Sequence, residues 1–354
     1  MATELQPCLP LTQLSSCAGC AAKLPQRILA ELLGHMPSRN GDVHHRNVLV
    51  GSETFDDAGV YRLRSNLAIV QTVDFFTPIV DDPYDYGQIA AANALSDVYA
   101  MGGRPITALN LLGVPPDKVA TRSVAQILRG GLDKAREAGC AVLGGHTIRL
   151  PEPIYGMSVT GIVHPGKILI NEAARPGDLL LLTKPLGTGI ATTAIKRGMA
   201  SAPLVRRVIR SMKQINSAGA ELAERGLVRA ATDVTGFGLL GHLGNIVRAS
   251  RVAAEIIAAD APIFGAEILS LAAQDCVPGG TRSNLAAAEG LVEWGDVAEQ
   301  RRIVLADAQT SGGLLLCVPP RRLVRVRDVL LAHRASAVAV VGRIVRGRPR
   351  IHVF

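Results

Sequence analysis

A chain of 354 residues with 48% hydrophobic residues exceeds what one core usually organises, so two domains are expected and extended disorder is not. Aromatic residues are only 3%, so the cores must be built from Ala, Val, Leu and Ile, a composition that fits α/β layers. The formal charge of +8 admits a nucleic-acid binder, but the nine arginines between Arg321 and Arg350 carry no interleaved aromatics for base stacking, which favours a solvated basic surface and no nucleic-acid partner.

Six cysteines, at 8, 17, 20, 140, 276 and 317, are too sparse for a secreted disulfide scaffold. The first sixteen residues contain no Lys or Arg, so a signal peptide is not expected, and no apolar run is long enough for a membrane span. The reading is a soluble, cytoplasmic chain with no membrane partner.

In chain order, Ser15 through Lys23 places Cys17, Cys20 and Lys23 among small residues, where a nearby ammonium favours thiolate over thiol. This stretch is either a reactive arm or an untethered tail. A short amphipathic helix is expected over Gln26 to His35, then a polar run to Arg46, so residues 1–46 read as a flexible arm. Asn47 to Ser52 reads as a strand leading to Thr54-Phe55-Asp56-Asp57, whose carboxylate pair is a solvated turn or part of a site. Leu67 to Val73 is a strand ending in Asp74. Tyr86 to Met101 is a helix stopped by Gly102-Gly103, with Asn93 and Asp97 four apart on one face.

A strand over Ile106 to Val114 and a helix over Ser123 to Ala138 precede a strand running into Gly144-Gly145-His146-Thr147. That glycine pair is either a phosphate-cradling nest or a plain turn. Ile154 to Val163 closes the first half as a strand, and the boundary is placed near residue 166, giving domains over 47–166 and 167–354. In the second half, Leu179 to Thr183 is a buried strand. Helices follow over Ile190 to Arg197 and over about Leu204 to Gly226. Gly236, Gly238 and Gly241 spell G-x-G-x-x-G, but Arg-Ala-Ala-Thr-Asp-Val-Thr before them is no clear apolar strand, which disfavours dinucleotide binding and turns interest to Asp233. Gly279-Gly280 and Gly312-Gly313 read as loops, the latter entering a strand at Leu314 to Val318. A helix over Arg321 to His333 and a strand over Ala337 to Val341 finish the fold.

Asp56, Asp57, Asp74, Asp97 and Asp233 form an oxygen-only set that suits Mg²⁺ held together with substrate phosphates. No G-x-x-x-x-G-K-[ST] is present, so an ATP user here is not a P-loop protein.

Taken together, Gly19-Cys-Ala-Ala-Lys23, Thr54-Phe-Asp-Asp-Ala58, Thr72-Val-Asp-Phe-Phe76, Asn93-Ala-Leu-Ser-Asp97, Gly144-Gly-His-Thr147, Thr232 through His242, Pro278-Gly-Gly-Thr281 and Gln309 through Leu314 resemble the selenophosphate synthetase (selenide, water dikinase) family over nearly the whole chain. The resemblance implies the two-domain α/β (α+β) fold of the aminoimidazole ribonucleotide synthetase superfamily and a homodimer whose N-terminal domains join sheets, with ATP sites near the interface. It implies that ATP, selenide and water give selenophosphate, AMP and phosphate, with several Mg²⁺ ions, K⁺ as a candidate companion and a candidate selenium-delivery protein. By matched position, Cys20 is the reactive thiol and Lys23 the phosphate-contacting lysine. Asp57, Asp97 and Asp233 would hold Mg²⁺. Thr54, Phe55, Asp56, Asp74, Asp97, Gly145, His146 and Thr147 would contact nucleotide. Ala22 stands where many relatives carry a second Cys, and the role of Cys17 stays open. The alternatives are another ATP-dependent enzyme of the superfamily, or a Cys17-x-x-Cys20 redox or metal-binding module.

Overall fold

Apolar alternation through Leu67–Phe76 builds the central strand of the first half, with Ala68, Val70, Asp74 and Phe76 turned to the buried side and Val73 and Phe75 to the other. The structure is a computed structural model that describes residues 10–15, 19, 28, 31–32 and 46–354. Cys17, Cys20, Lys23 and most of the expected helix over 26–35 lie outside the described residues.

The first sheet contains β1 (Val48–Val50), β2 (Gly59–Arg64), β3 (Leu67–Phe76), β4 (Arg104–Val114), β5 (Ala141–Arg149) and β6 (Ile154–Val163), in the order β1-β2-β3-β6-β4-β5. Only β4 and β5 pair in parallel. Strand β2, directly behind Asp57, was not expected. Asp74 sits within β3 and not past its end, because the strand runs on to Phe76. Gly144-Gly145-His146-Thr147 is neither nest nor turn: β5 continues through it as an edge strand, and a bulge between the Ala108 and Leu109 pairings absorbs Leu143.

One face of this sheet is covered by α1 (Pro83–Ala100) and α2 (Thr121–Glu137). Asp82 caps α1 by accepting from the Asp85 amide at 2.7 Å, and Pro83 opens its first turn. Alanines let α1 pack closely on β3 and β6 and also touch the second half at β8 (Ala230–Asp233), so it is buried nearly all round. The opposite sheet face keeps Val73, Phe75, Leu109 and Leu143 exposed, Phe75 at 47% and Leu143 at 69%.

The second sheet joins β8 to β7 (Leu179–Leu182), β9 (Ala253–Ile256), β10 (Val292–Trp294), β11 (Leu314–Val318), β12 (Ala339–Val345) and β13 (Ile351–Val353), in the order β10-β13-β9-β12-β7-β11-β8. Its helices are α3 (Thr188–Lys196), α4 (Ala202–Met212), α5 (Ala218–Glu224), α6 (Gly238–Ser250), α7 (Ala266–Ala273), α8 (Gly279–Ala288), α9 (Glu299–Ala306) and α10 (Leu323–Ala332). The single helix expected over 204–226 is two, α4 and α5. The break has a cause: there Lys213 reaches Asp85 at 2.6 Å, and buried Asn216 donates to Ser96 Oγ at 2.8 Å and to the Gly312 carbonyl at 2.9 Å. Tertiary contacts with α1 override local helix propensity. Likewise Gly279-Gly280 opens α8 and is not a loop. Among the described residues no helix is long and apolar enough to cross a membrane.

The described part of the N-terminal segment is seated on the body. Leu11, Thr12 and Ser15 are buried, Thr12 donates to Asp81 from its amide at 3.0 Å and its hydroxyl at 2.6 Å, and Lys196 donates to the Ser15 carbonyl at 2.8 Å.

Candidate active site

Four chain segments converge where α1 meets the second sheet. Strand β8 ends in Asp233, which is 1% exposed. The loop before β2 brings Asp57, β3 brings Thr72 and Asp74, and α1 brings Asn93 and Asp97.

Thr232 Oγ1 donates to Asp57 Oδ1 at 2.8 Å, whereas Asp57 Oδ2 is closed to solvent and has no hydrogen-bond partner among the described residues. Burial, then the negative charges of Asp233 and Asp97, hold the Asp57 carboxyl well above the usual range. Asp97 accepts from Thr72 Oγ1 at 2.5 Å, and Asp74 accepts from Asn93 Nδ2 at 2.6 Å. Asp56 is tied across the halves: it accepts from Thr54 Oγ1 and from the Asn171 amide at 2.7 Å, while Asn171 Nδ2 donates to the carbonyls of Thr54 and Phe55, each at 3.1 Å. Burial raises the Asp56 carboxyl, against those two donors.

Ligand atoms of Asp57, Asp233 and His242 lie within 4.8 Å of one another. His242 is not available as a ligand, however. Its Nε2 accepts from the Thr235 amide at 3.1 Å, so the ring proton belongs on Nδ1, which faces Thr232 Oγ1 at 3.3 Å. That hydroxyl spends its own proton on Asp57. The chain His242, Thr232, Asp57 therefore orients the carboxylate and leaves its second oxygen for something else. A hard divalent cation fits: it would partner Asp57 Oδ2 and offset the mutual repulsion of Asp57, Asp97 and Asp233.

A second chain of hydrogen bonds fixes Asp74. Asn93 Oδ1 accepts from the Ser311 amide at 2.9 Å, and the Ser311 carbonyl accepts from buried Lys184 Nζ at 2.9 Å. Lys184 also donates to the Gln214 carbonyl at 2.7 Å. Burial pushes its ammonium down to about 7, with the charge of Asp233 opposing. Gly312 is glycine because a Cβ there would lie 1.9 Å from the Val234 carbonyl oxygen, so this Gly-Gly pair serves close chain approach. Gly19, at φ +58°, is wedged against the same loop: a Cβ would meet Ile79 Cγ2 and Thr310 Oγ1 at 2.5 Å each.

The structure thus brings Thr54, Phe55, Asp56, Asp57, Asp74, Asp97 and Asp233 to one region. It does not bring Gly145, His146 and Thr147 there. Strand β5 is separated from β3 by β6 and β4, about 14 Å at ordinary strand spacing. His146 also shares a register row with Leu111, Gly156 and Phe75, on the sheet face opposite Asp74. Cys20 and Lys23 are outside the described residues. Sequence reasoning missed Thr72, Thr232, His242, Asn171, Ser311 and Lys184. Thr72, Thr232, His242 and Ser311 carried a signal, since they stand in the quoted motifs around Asp74, Asp233 and Gly312-Gly313, whereas Asn171 and Lys184 carried none.

The chain matches the AIR synthase related protein family, its N-terminal domain over residues 55–163 and its C-terminal domain over 175–353. It is similar to a selenide, water dikinase of Myxococcus xanthus, at 51% identity over 97% of this chain and 96% of that protein. A selenide, water dikinase of Pelobacter propionicus is 47% identical over 95% of both chains. Of solved structures, thiamine-monophosphate kinase from Stenotrophomonas maltophilia superposes with a TM-score of 0.64 at 22% identity, covering 94% of this chain and 96% of that one. A hydrogenase maturation protein in complex with ATP gives 0.60 at 19%, covering 84% and 83%. At such identities the structural likeness carries the fold alone.

Proposed function

The chain belongs to the AIR synthase related family and, within it, to the selenide, water dikinases, and we propose that its carboxylate cluster is where ATP, selenide and water become selenophosphate, AMP and phosphate. One observation carries the site assignment: three mutually repelling carboxylates, with Asp57 Oδ2 buried and unpartnered among the described residues, gathered between the halves of a chain 51% identical to such an enzyme.

Asp57, Asp97 and Asp233 would hold Mg²⁺. When bound, the metal neutralises charge on the phosphoryl oxygens as each group transfers. The chain's own residues position and exclude. His242 and Thr232 aim Asp57, while Lys184, Ser311 and Asn93 aim Asp74. Thr54, Phe55 and Asp56, pinned by Asn171, form the nucleotide wall. Cys20 and Lys23 follow Gly19, which is seated against Ile79 and Thr310 beside this region. In this reading Cys20 presents selenium, Lys23 adds a point charge at the phosphates, and the arm keeps bulk water off selenide.

Gly145, His146 and Thr147 enter from a second copy of the chain. This accounts for their distance from Asp74 and for the exposed Val73, Phe75, Leu109 and Leu143 on the same sheet face, an apolar patch of the kind subunit interfaces cover. K⁺, a selenium-delivering protein and a cytoplasmic location complete the proposal.

Selenide-dependent AMP release tests it. Asp233→Asn should lose that release by at least about a hundredfold, the scale of losing a charge at a phosphoryl-transfer centre. Undiminished AMP release would remove the cluster from the reaction.

A further inference from the structure

A cavity of about 450 Å³ in the second half lies apart from the carboxylate cluster and gathers Arg207, Arg210 and Ser211 of α4 with Phe264, Arg334 and Ser336. Among the described residues no carboxylate oxygen lies within 4 Å of any of the three guanidiniums. Glu267 feels the charge of Arg207, but its two oxygens are taken by the Ser201 amide at 2.9 Å and hydroxyl at 2.7 Å. Arg207 and Arg210 stand three apart on one helix and are exposed, as is Arg334, so water screens their repulsion while all three guanidiniums remain open to an incoming anion.

Arg334 supplies a second, independent observation. It follows α10 with φ +56°, in the left-handed position that glycine fills without strain. That turn is the end of the helix, closed by the Ala335 amide donating to the Leu330 carbonyl and the Arg334 amide to the Leu331 carbonyl, each at 2.9 Å, and it places Arg334 on the same cavity as α4. Gln214 Nε2 donates to the Arg334 carbonyl, and Ser336 Oγ donates to Gln214 Oε1 at 2.9 Å. Opposite the cationic side, buried Phe264 with Ile263 and Pro185 makes an apolar wall. The volume is far more than a bare phosphate fills and falls in the range of small-molecule sites.

We propose that this cavity is a second ligand site, for a small organic phosphate whose phosphoryl group sits among Arg207, Arg210 and Arg334 and whose organic body lies against Phe264. The inference stands on this cavity alone and does not depend on the chemistry of the carboxylate cluster. Calorimetric titration of the full chain in EDTA, which removes magnesium from the cluster, tests it with AMP, ribose 5-phosphate and unphosphorylated adenosine. AMP or ribose 5-phosphate should bind at one site per chain, and adenosine should not. Arg210→Gln and Arg334→Gly should each weaken binding about tenfold or more, the size of one charge-assisted hydrogen bond. Arg334→Gly should also raise the melting temperature, because glycine relieves the left-handed strain, so its lost binding would not be lost folding. The proposal is overturned if neither phosphate binds, if adenosine binds as well as they do, or if both variants keep wild-type affinity.

Discussion

Replacing Asp57 by Asn should make the magnesium-free protein more stable while abolishing its turnover. The Asp57 and Asp233 ligand atoms lie within 4.8 Å of each other, and two unit charges at that limit repel by about 3.5 kcal/mol in an effective dielectric of about 20. Protonation caps that cost in the wild type, since burial and neighbouring charges hold the Asp57 carboxyl high. The net gain from a neutral amide is therefore smaller than that figure, and in a chain of 354 residues each kcal/mol gained raises the melting temperature by about 1–2 °C. Thr232 loses nothing, because the amide oxygen accepts its hydroxyl. A raised carboxyl stabilises below the ordinary carboxylate range, and its contribution is lost as pH rises through the folded-state value. The advantage of Asp57→Asn in EDTA should accordingly widen from about pH 4 upward. Thermal melts with and without Mg²⁺ and nucleotide read both halves of the prediction: the wild type should gain from the ligands and the variant should not. A variant that melts lower in EDTA, or that still gains from Mg²⁺ with nucleotide, would refute the reasoning.

Other outcomes follow from the same geometry. Asp307 is fully buried and accepts from the Gly189 amide at 2.9 Å and Thr281 Oγ1 at 2.8 Å, while burial pushes it up to about 7. It therefore costs stability as pH rises from about 4 to about 7, and Asp307→Asn should flatten that part of the urea-denaturation profile. Gly312→Ala drives a Cβ to 1.9 Å from the Val234 carbonyl oxygen and should cost about 2–4 kcal/mol by equilibrium unfolding; a loss under about 0.5 kcal/mol would show that the loop yields freely. On the proposed second-copy arrangement, Phe75→Glu changes an exposed residue, so far-UV circular dichroism should stay unchanged while sedimentation gives a smaller species than the wild type. Mixing Asp57→Asn with His146→Ala subunits should restore part of the turnover that each lacks alone, because one composite site in the mixed dimer would be intact.

The sequence carried the elements whose pattern is local. Ile154–Val163 and Leu314–Val318 are apolar runs bounded by breakers, and their ends were legible to the residue. What it hid is tertiary. The break between α4 and α5 is held because Lys213 and Asn216 reach α1, and its local mark is only the pair Asn216-Ser217, with Ser217 at the N-cap of α5. Gly144-Gly145 looks like a turn, yet pairing with β4 stretches it into an edge strand. Five candidate aspartates could be named from their positions at strand ends and on an alanine-rich helix. Their convergence rests on contacts such as Thr232 to Asp57, 175 residues apart, which periodicity cannot encode. Residue chemistry already grouped the aspartates as an oxygen-only set, the family pattern gave them roles, and the structure then added the residues that aim them, Thr72, Asn171, Lys184, Thr232, His242 and Ser311.

Phosphorus NMR of ATP turnover, with and without selenide, tests the central claim most directly. With selenide present, the account predicts selenophosphate and AMP in equal amounts together with one phosphate. ADP as the final nucleotide, or AMP without any selenium-bonded phosphorus signal, would contradict it.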